Sequence, residues 1–196
     1  MTRGDKDRTR ALLLDVATQM LGERGFGSTS VDDIAEKAGV AKGTVYYHFK
    51  SKADLVDALI IDGLTVLADD MRAVVDEPAS ARESIQRLVR AELAFIREHR
   101  QFAKLLVREL WQEDRAWRAS LMLIREQIVT VIRKQVERGI SSGELRDDLD
   151  PHFAASSLFA LTAVTALDWV ELEPERSLEE VAAQIGCLTA IAAVAS

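Results

Sequence analysis

Cysteine and proline are scarce in this 196-residue chain, which contains one cysteine and three prolines. The single cysteine, Cys187, cannot form a disulfide within the chain, so a disulfide-stabilised secreted domain is excluded. The low proline content permits long helices, and no run of β-branched residues alternates with period two. Apolar residues recur instead at the i, i+3, i+4 spacing of helices that are buried on one face. The sequence therefore predicts an all-α protein.

Long apolar runs and a secretory leader are also missing. The longest uncharged stretches, residues 153–167 and 181–196, are shorter than the roughly 20 apolar residues that a membrane-spanning helix needs. The first residues show neither an arginine-led apolar segment nor a small-residue cleavage site. We therefore expect a cytoplasmic protein with no membrane association.

Histidine is scarce as well, which bears on catalysis and metal binding. The three histidines, His48, His99 and His152, are scattered, and no HExxH or paired-cysteine motif occurs. Cys187 has apolar neighbours and no lysine or arginine within a helical turn, so nothing would activate its thiol. We therefore expect a protein that is not an enzyme, with no catalytic residue, no metal site and no cofactor.

Positive charge is limited overall, since the formal net charge is −7, but it is concentrated near the N-terminus. Residues 1–52 carry nine Lys and Arg against seven Asp and Glu, whereas the rest of the chain carries 16 against 25. This asymmetry indicates a basic N-terminal head on an acidic body.

Capping residues and glycines divide the chain into about nine predicted helices. The first is amphipathic and ends in the glycine-containing turn at residues 25–27. Ser30 can cap a short second helix that Gly39 ends, and a third helix runs over about 41–49. Ser51 opens a long fourth helix. The later helices are expected over about 80–98, 102–110 and 115–138, and after 150 and 177.

The second and third predicted helices have the spacing of a helix-turn-helix. Two short helices joined by a three- or four-residue turn can place the second helix in the major groove of DNA. In "GVAKGTVYYHFKSKADL", residues 39–55, Val45 and Phe49 face inward and the polar side chains face outward. Such side chains donate hydrogen bonds to phosphates, and Gly43 permits close approach to a base edge. The alternative, a solvated surface corner, is disfavoured because spacing, charge and local sequence agree.

The stretch "TSVDDIAEKAGVAKGTVYYHFKSKADL", with the preceding "GFGSTS", closely resembles the DNA-binding signature of the TetR family of bacterial repressors. The rest of the chain is similar to that family in helix count, helix lengths and the loop "GELRDDLDP". Ala41 stands where the family commonly has Ser or Thr, so a hydroxyl group is lost there. The resemblance implies these DNA contacts: Thr29, Lys42, Gly43, Thr44, Tyr47, His48 and Lys52.

The resemblance also implies two domains. A helix-turn-helix DNA-binding domain is expected over residues 6–66, with the helix-turn-helix itself at about 31–49, and an effector-binding and dimerisation domain over residues 67–196. Aromatic and flexible apolar side chains on the middle helices are each most simply core residues, but together they could line an effector pocket. The expected ligand contacts are Phe95, Phe102, Trp111, Trp117, Met122 and Phe159.

The last two predicted helices contain uncharged stretches that need burial on more than one face. A single body would cover only one of these faces, and the many Ala, Ser and Thr residues permit close helix approach. We therefore predict a homodimer through the last two helices, in which each subunit contributes two helices to the interface.

Together these features predict a ligand-responsive, DNA-binding transcriptional regulator. Its expected form is a repressor that binds a palindromic double-stranded operator as a homodimer and is released by a small apolar or amphipathic effector. The first alternative is a helical small-molecule carrier or enzyme with a vestigial DNA-binding head, and the second is a purely structural helical dimer. Saturable, salt-sensitive binding to a palindromic duplex separates the regulator from both.

Overall fold

The computed structural model describes residues 3–76, 78–109, 112 and 115–189 of the chain. Within these ranges it contains nine α-helices and no β-strand, so the all-α prediction is confirmed. The helices are α1 (Arg3–Arg24), α2 (Val31–Ala38), α3 (Lys42–His48), α4 (Lys52–Val75), α5 (Ala81–Glu98), α6 (Arg100–Glu109), α7 (Arg118–Ser141), α8 (Pro151–Leu172) and α9 (Leu178–Thr189).

Local sequence signals set most of the helix ends. The Ser30 hydroxyl accepts a hydrogen bond from the N–H of Asp33, whose carboxylate accepts one from the N–H of Ser30. Gly39 ends α2 in the left-handed conformation with a φ of 68°. Ser80 and Asp150 cap α5 and α8 with their side chains. These four predicted boundaries are confirmed.

The end of α7 differs from the prediction. The helix continues through Gly139 to Ser141, and the chain leaves the helical direction at Gly143, which has a φ of 75°. A Cβ atom on Gly139 would lie 2.7 Å from Leu145 Cδ1, closer than packing allows. Gly139 is therefore a packing position inside the helix rather than a turn residue.

The chain divides into two compact units. The first unit contains the residues up to Gly63 together with Gln101–Met122, and the second contains Leu64–Arg100 together with the residues from Leu123 onward. Helices α4 and α7 each contribute residues to both units. The first unit thus holds most of α6 besides the helix-turn-helix. The division into domains at residues 66 and 67 stays a prediction.

The helix-turn-helix has its own apolar core in the first unit. Helix α1 packs on α2, and α2 packs on α3. Five side chains at the centre of this core are at most 1% exposed: Leu13, Leu21, Ile34, Val45 and Leu55. Burying one such side chain contributes about 1.5–3 kcal/mol, so α2 and α3 are firmly held despite their short length.

Helix α6 approaches two neighbours at positions that lack a side chain. Gly63 of α4 faces the buried ring of Phe102, and a Cβ atom on Gly63 would lie 2.4 Å from Phe102 Cζ. A Cβ atom on Gly22 of α1 would lie 2.5 Å from the carbonyl oxygen of Gln101. These two glycines are what permits α1 and α4 to come so close to α6.

In the second unit, α5 packs against α8 and α9. Helices α5 and α8 run in the same direction: Ile85 and Leu158 line a common cavity near their beginnings, and the Arg97 guanidinium lies 5.8 Å from the Trp169 ring near their ends. A salt bridge of 2.9 Å joins Arg90 of α5 to Glu179 of α9. The cavity residues and the Arg97–Trp169 contact thus place α8 alongside α5, and the salt bridge joins the start of α9 to α5.

Helix α8 is long and apolar enough to cross a membrane, a test that core helices of other proteins also pass. That no segment spans a membrane stays a prediction.

Exposed residues on α8 recur at three- and four-residue intervals and form a stripe along the helix, and α9 has a similar stripe. The α8 stripe consists of Phe153, Ser157, Ala160, Leu161, Val164 and Asp168, and the α9 stripe of Ala183, Gln184, Cys187 and Leu188.

Candidate DNA interface and effector site

Helix α3 exposes polar and aromatic side chains, while buried apolar residues anchor it in the core. Val45 is 1% exposed and Phe49, which follows the helix, is 3% exposed, whereas Tyr47 is 62% exposed. A Cβ atom on Gly43 would meet no atom within 4 Å, so packing does not require a glycine there. The N-cap residue, Ala41, makes no side-chain cap hydrogen bond. Five of the seven predicted DNA contacts lie on this helix, namely Lys42, Gly43, Thr44, Tyr47 and His48.

Lys42 is engaged by a carboxylate in the free protein. Its Nζ lies 2.8 Å from Asp32 Oδ1 of α2, and both side chains are more than half exposed. The hydrogen bond with Asp32, and then the charge of that residue, raise the pKa of Lys42 above its ordinary value. A phosphate that binds Lys42 therefore has to replace an exposed carboxylate, which costs little.

His48 lies at the end of α3, half-buried beside α1. Its Nε2 is shielded from solvent and has no hydrogen-bond partner among the residues that the structure describes. Burial, followed by the positive charges of Lys6 and Arg10, lowers the pKa of His48. Lys6 Nζ also lies 5.0 Å from the ring centroid of Tyr47. Helix α1 thus adds positive charge beside α3, and this charge, together with burial, disfavours the protonated form of His48.

Two of the predicted DNA contacts, Thr29 and Lys52, do not point outward. Thr29 is 1% exposed, and its hydroxyl donates to the carbonyl oxygen of Gly25 at 3.0 Å. Lys52 Nζ donates to the carbonyl oxygens of Phe26 at 2.7 Å and Thr29 at 2.8 Å. Burial, and then the charge of Arg115, lower the pKa of Lys52. Both side chains hold the turn between α1 and α2, and direct contact with DNA stays a prediction for them.

The Phe26 ring is the centre of a cluster that the sequence did not reveal. Lys52 Nζ lies 3.8 Å from its ring centroid, and the Arg115 guanidinium lies 5.0 Å from it. The Trp117 ring packs against the Phe26 ring with their centroids 4.7 Å apart. Arg115 also pairs with the buried carboxylate of Glu109 at 3.1 Å. The residues before α7 therefore pack directly on the turn that precedes the helix-turn-helix.

The predicted effector contacts are distributed over both units. In the first unit, Phe102 packs against Gly63 and Trp117 packs against Phe26, while Met122 is half-buried at the end of the unit. Trp111 lies outside the described residues.

The other two predicted effector contacts lie in the second unit. The Phe95 ring lies 4.5 Å from that of His99, and the Arg125 guanidinium lies 5.7 Å from the Phe159 ring. These contacts do not bring the five described residues together around one space, and an effector role for all six stays a prediction.

A cavity of about 120 Å³ lies in the second unit among α5, α7, α8 and α9. None of the five predicted effector residues that the structure describes lines it. Its lining is mainly apolar and consists of Arg82, Ile85, Gln86, Val136, Leu145, Leu149, Ala154, Leu158, Gly186 and Thr189. A space of this size holds a small apolar group rather than a whole amphipathic molecule.

Comparison with known proteins gives two family matches that together cover most of the chain. A model for bacterial regulatory proteins of the tetR family matches residues 13–59, and one for the tetracyclin repressor-like C-terminal domain matches residues 78–190. The fatty acid metabolism regulator protein of Bacillus subtilis is 27% identical over 158 residues, which are 81% of each chain. The HTH-type transcriptional repressor KstR2 of Mycobacterium tuberculosis is 32% identical over 150 residues, 75% of this chain and 74% of that one.

Solved structures agree with these sequence matches. The transcriptional regulator FadR of Bacillus subtilis, in complex with stearoyl-CoA, has a TM-score of 0.80 and 25% identity, and the match covers 91% of this chain and 96% of that one. The ketosteroid transcriptional regulator KstR2 of Mycobacterium tuberculosis has a TM-score of 0.74 and 26% identity, with 95% of each chain covered.

Proposed function

The chain belongs to the TetR family of bacterial regulatory proteins and is a DNA-binding transcriptional regulator, and we propose that it is a cytoplasmic repressor that binds a palindromic operator as a homodimer. The observation that carries this proposal is the exposed face of α3. Lys42, Gly43 and Tyr47 are exposed there on a helix that Val45 anchors in the core. Lysine and tyrosine side chains donate hydrogen bonds to phosphates and base edges, and the glycine permits close approach of the backbone.

Selection from a random library of duplexes tests this proposal. We expect an inverted repeat whose half-sites are separated by about 34 Å, or a multiple of it, because two copies of α3 have to enter successive major grooves. Binding should weaken by about 10³- to 10⁵-fold between 50 and 200 mM salt. Enrichment of no sequence, or binding that salt leaves unchanged, would refute the proposal.

Asp32→Asn should tighten binding to every duplex by about two- to fivefold, because it frees Lys42 from an exposed ion pair and removes a negative charge beside the phosphates. Lys42→Met should have the opposite effect and reduce the salt slope by about 1.8, because the dimer loses one phosphate contact in each subunit. Fluorescence anisotropy at several salt concentrations measures both. Glu36→Gln is the matched control, since it removes an exposed negative charge from α2 where no pairing with Lys42 is involved. An equal gain from Glu36→Gln would mean that net charge alone is responsible.

Lys52→Met tests whether Lys52 contacts a phosphate or supports the turn between α1 and α2. Because Lys52 holds the carbonyl oxygens of Phe26 and Thr29, its loss should weaken all duplexes and lower the melting temperature, while leaving the salt slope unchanged. Calorimetry and anisotropy measure the two quantities. A salt slope reduced by about 1.8, one phosphate contact in each subunit, with an unchanged melting temperature would instead establish Lys52 as a phosphate contact.

We further propose that the two stripes on α8 and α9 form the homodimer interface. Both stripes are exposed in the single chain, and they consist mainly of apolar and small residues. Small residues permit close approach between helices, and pairing each stripe with its copy satisfies two-fold symmetry.

We propose an effector with a long apolar body and a polar head, for which an acyl-CoA is the first compound to test. This proposal is supported by the similarity to a regulator solved with stearoyl-CoA. Helix α4 contributes residues to both units and is the element that we expect to transmit effector binding to the helix-turn-helix. Effector and operator should then weaken each other's binding by the same factor, about 5- to 150-fold.

Titration of stearoyl-CoA into a labelled operator complex tests the effector proposal. Release of the operator at low micromolar ligand is expected, with a matching loss of acyl-CoA affinity when operator is present. Coenzyme A alone and acetyl-CoA are the controls, because they share the head and lack the long chain. An operator complex that withstands acyl-CoA of every chain length would refute this effector class.

A further inference from the structure

Glu92 of α5 is a carboxyl group in the core of the second unit without a visible structural purpose. It is 1% exposed, and its Oε1 has no hydrogen-bond partner among the described residues. Burial raises the pKa of Glu92 well above its ordinary value, and no neighbouring charge contributes to that shift. Burying an unpartnered polar group is costly, so native proteins retain few of them. Burial therefore favours the neutral form of this side chain, and its Oε1 is left without a partner in the described part of the chain.

A second unpartnered group lies on the neighbouring helix. Thr162 of α8 is 0% exposed, and its Oγ1 has no partner in the described part of the chain. Glu92 lies seven residues beyond Ile85, and Thr162 lies four residues beyond Leu158, so each stays on the face of its helix that borders the common cavity. Because α5 and α8 run in the same direction, both groups lie beyond the cavity residues, towards the C-terminal ends of their helices.

Glu92 and Thr162 do not line the cavity of the second unit but lie further along two of the helices that border it. At 1.5 Å per residue, Thr162 lies about 6 Å beyond Leu158 along α8, and Glu92 lies about 10 Å beyond Ile85 along α5. Gln135, which adjoins the cavity residue Val136 on α7, is 8% exposed, and its Oε1 also lacks a partner among the residues described. None of these three polar groups lines the cavity, and a ligand that fills the cavity and extends to Glu92 and Thr162 would make both apolar and polar contacts.

We propose that Glu92 and Thr162 bind an uncharged oxygen of the effector, a carbonyl or a hydroxyl, while the cavity holds the adjoining apolar carbons. This inference rests on the effector-binding function proposed above and specifies the chemistry of the ligand. A neutral carboxyl group and a hydroxyl group each supply an O–H donor, and one ligand oxygen accepts from both with its two lone pairs.

Charged ligand groups fit this pair less well. An ammonium group would require Glu92 to ionise in a buried position, which desolvation opposes. A carboxylate would meet no compensating positive charge at Glu92, since none contributes to its shift. The ligand class is therefore an apolar skeleton with a ketone, ester, thioester or hydroxyl oxygen.

The stability of the free protein provides the first measurement. Glu92→Leu and Thr162→Val each remove an unsatisfied polar group without opening a large cavity, so each should raise the melting temperature by about 2–8 °C. Replacing a residue that supports the fold would lower the melting temperature instead. A lower melting temperature for both variants would overturn the proposal.

The second measurement is the binding of 2-decanone to the full chain, determined by calorimetry. We expect affinity to fall by about tenfold in Glu92→Leu and in Thr162→Val, the effect of losing one hydrogen bond. Glu92→Gln and Thr162→Ser should bind nearly as the parent does, because they retain a donor. Leu93→Met, a volume-conserving change at the buried neighbour of Glu92, is the control and should not alter affinity.

Three results of these titrations would overturn the inference. They are a parent protein that does not bind 2-decanone, a Glu92→Leu variant that binds it normally, and a parent that prefers decylammonium and loses it in Glu92→Gln. The last result would identify an ionised Glu92 that recognises a cation.

The operator titration keeps this inference separate from the proposed function. If stearoyl-CoA releases operator equally well from Glu92→Leu and from the parent, effector control stands and the role of Glu92 is refuted. If no acyl-CoA releases operator while 2-decanone binding depends on Glu92 and Thr162, the acyl-CoA proposal is refuted and the polar pair stands.

Discussion

Val164→Glu is expected to separate the two subunits and to lower operator affinity by at least about a hundredfold, because an unpaired charge in a buried interface costs several kcal/mol. Val164 lies near the middle of the α8 stripe and is 52% exposed in the single chain. The substitution therefore leaves the fold of the subunit intact. A single subunit reaches one half-site only, and so it loses half of the phosphate and base contacts.

Sedimentation velocity and operator titration measure the two effects on the same preparation. Val66→Glu is the matched control, since Val66 is 47% exposed on α4 and lies outside both stripes. It should sediment as a dimer and bind operator normally. A Val164→Glu protein that remains dimeric with parental DNA affinity would place the interface on another surface.

Gly63→Val should lower the free energy of unfolding by about 3 kcal/mol, the second large effect that we expect. Even the first added atom would lie 2.4 Å from Phe102 Cζ, and the side chain would force α4 and α6 apart. The corresponding decrease in melting temperature is about 6–12 °C. Denaturant titration and calorimetry measure it.

A second substitution tests the cause of this destabilisation. Phe102→Leu, introduced together with Gly63→Val, makes room for the new side chain and should recover part of the lost stability, so the two changes should be strongly non-additive. Gly43→Ala is the control, because a Cβ atom there meets nothing within 4 Å, and its stability should be unchanged or slightly higher. Additive losses in the double variant would show that Phe102 is not the obstacle.

The helix boundaries and the helix-turn-helix could be predicted because their causes are local. The reciprocal cap at Ser30 and Asp33, the glycine that ends α2 and the caps of α5 and α8 each depend on residues a few positions apart. The same holds for α3, whose inward and outward faces follow from helical periodicity. The end of α7 was predicted too early, at about residue 138, because the role of Gly139 depends on Leu145, a packing partner beyond the helix itself.

The environments of Lys52 and Glu92 could not be predicted, because residues distant in sequence create them. Lys52 is turned inward by the carbonyl oxygens of Phe26 and Thr29 and by the Phe26 ring, and the nearby positive charge of Arg115 lowers its pKa. The burial of Glu92 had a signal in the sequence, because the apolar residues Leu88 and Ile96 lie on the same face of the helix. The lack of a hydrogen-bond partner for its Oε1 had none.

Cys187, the one cysteine of the chain, lies exposed in the α9 stripe. A thiol reagent reaches it only while that surface is uncovered, so pairing through the stripes would limit alkylation to the moments when two copies are apart. The time course of alkylation then measures the lifetime of the assembly in the unaltered protein, without any engineered label. Repeating it with operator or with stearoyl-CoA shows whether either ligand lengthens or shortens that lifetime.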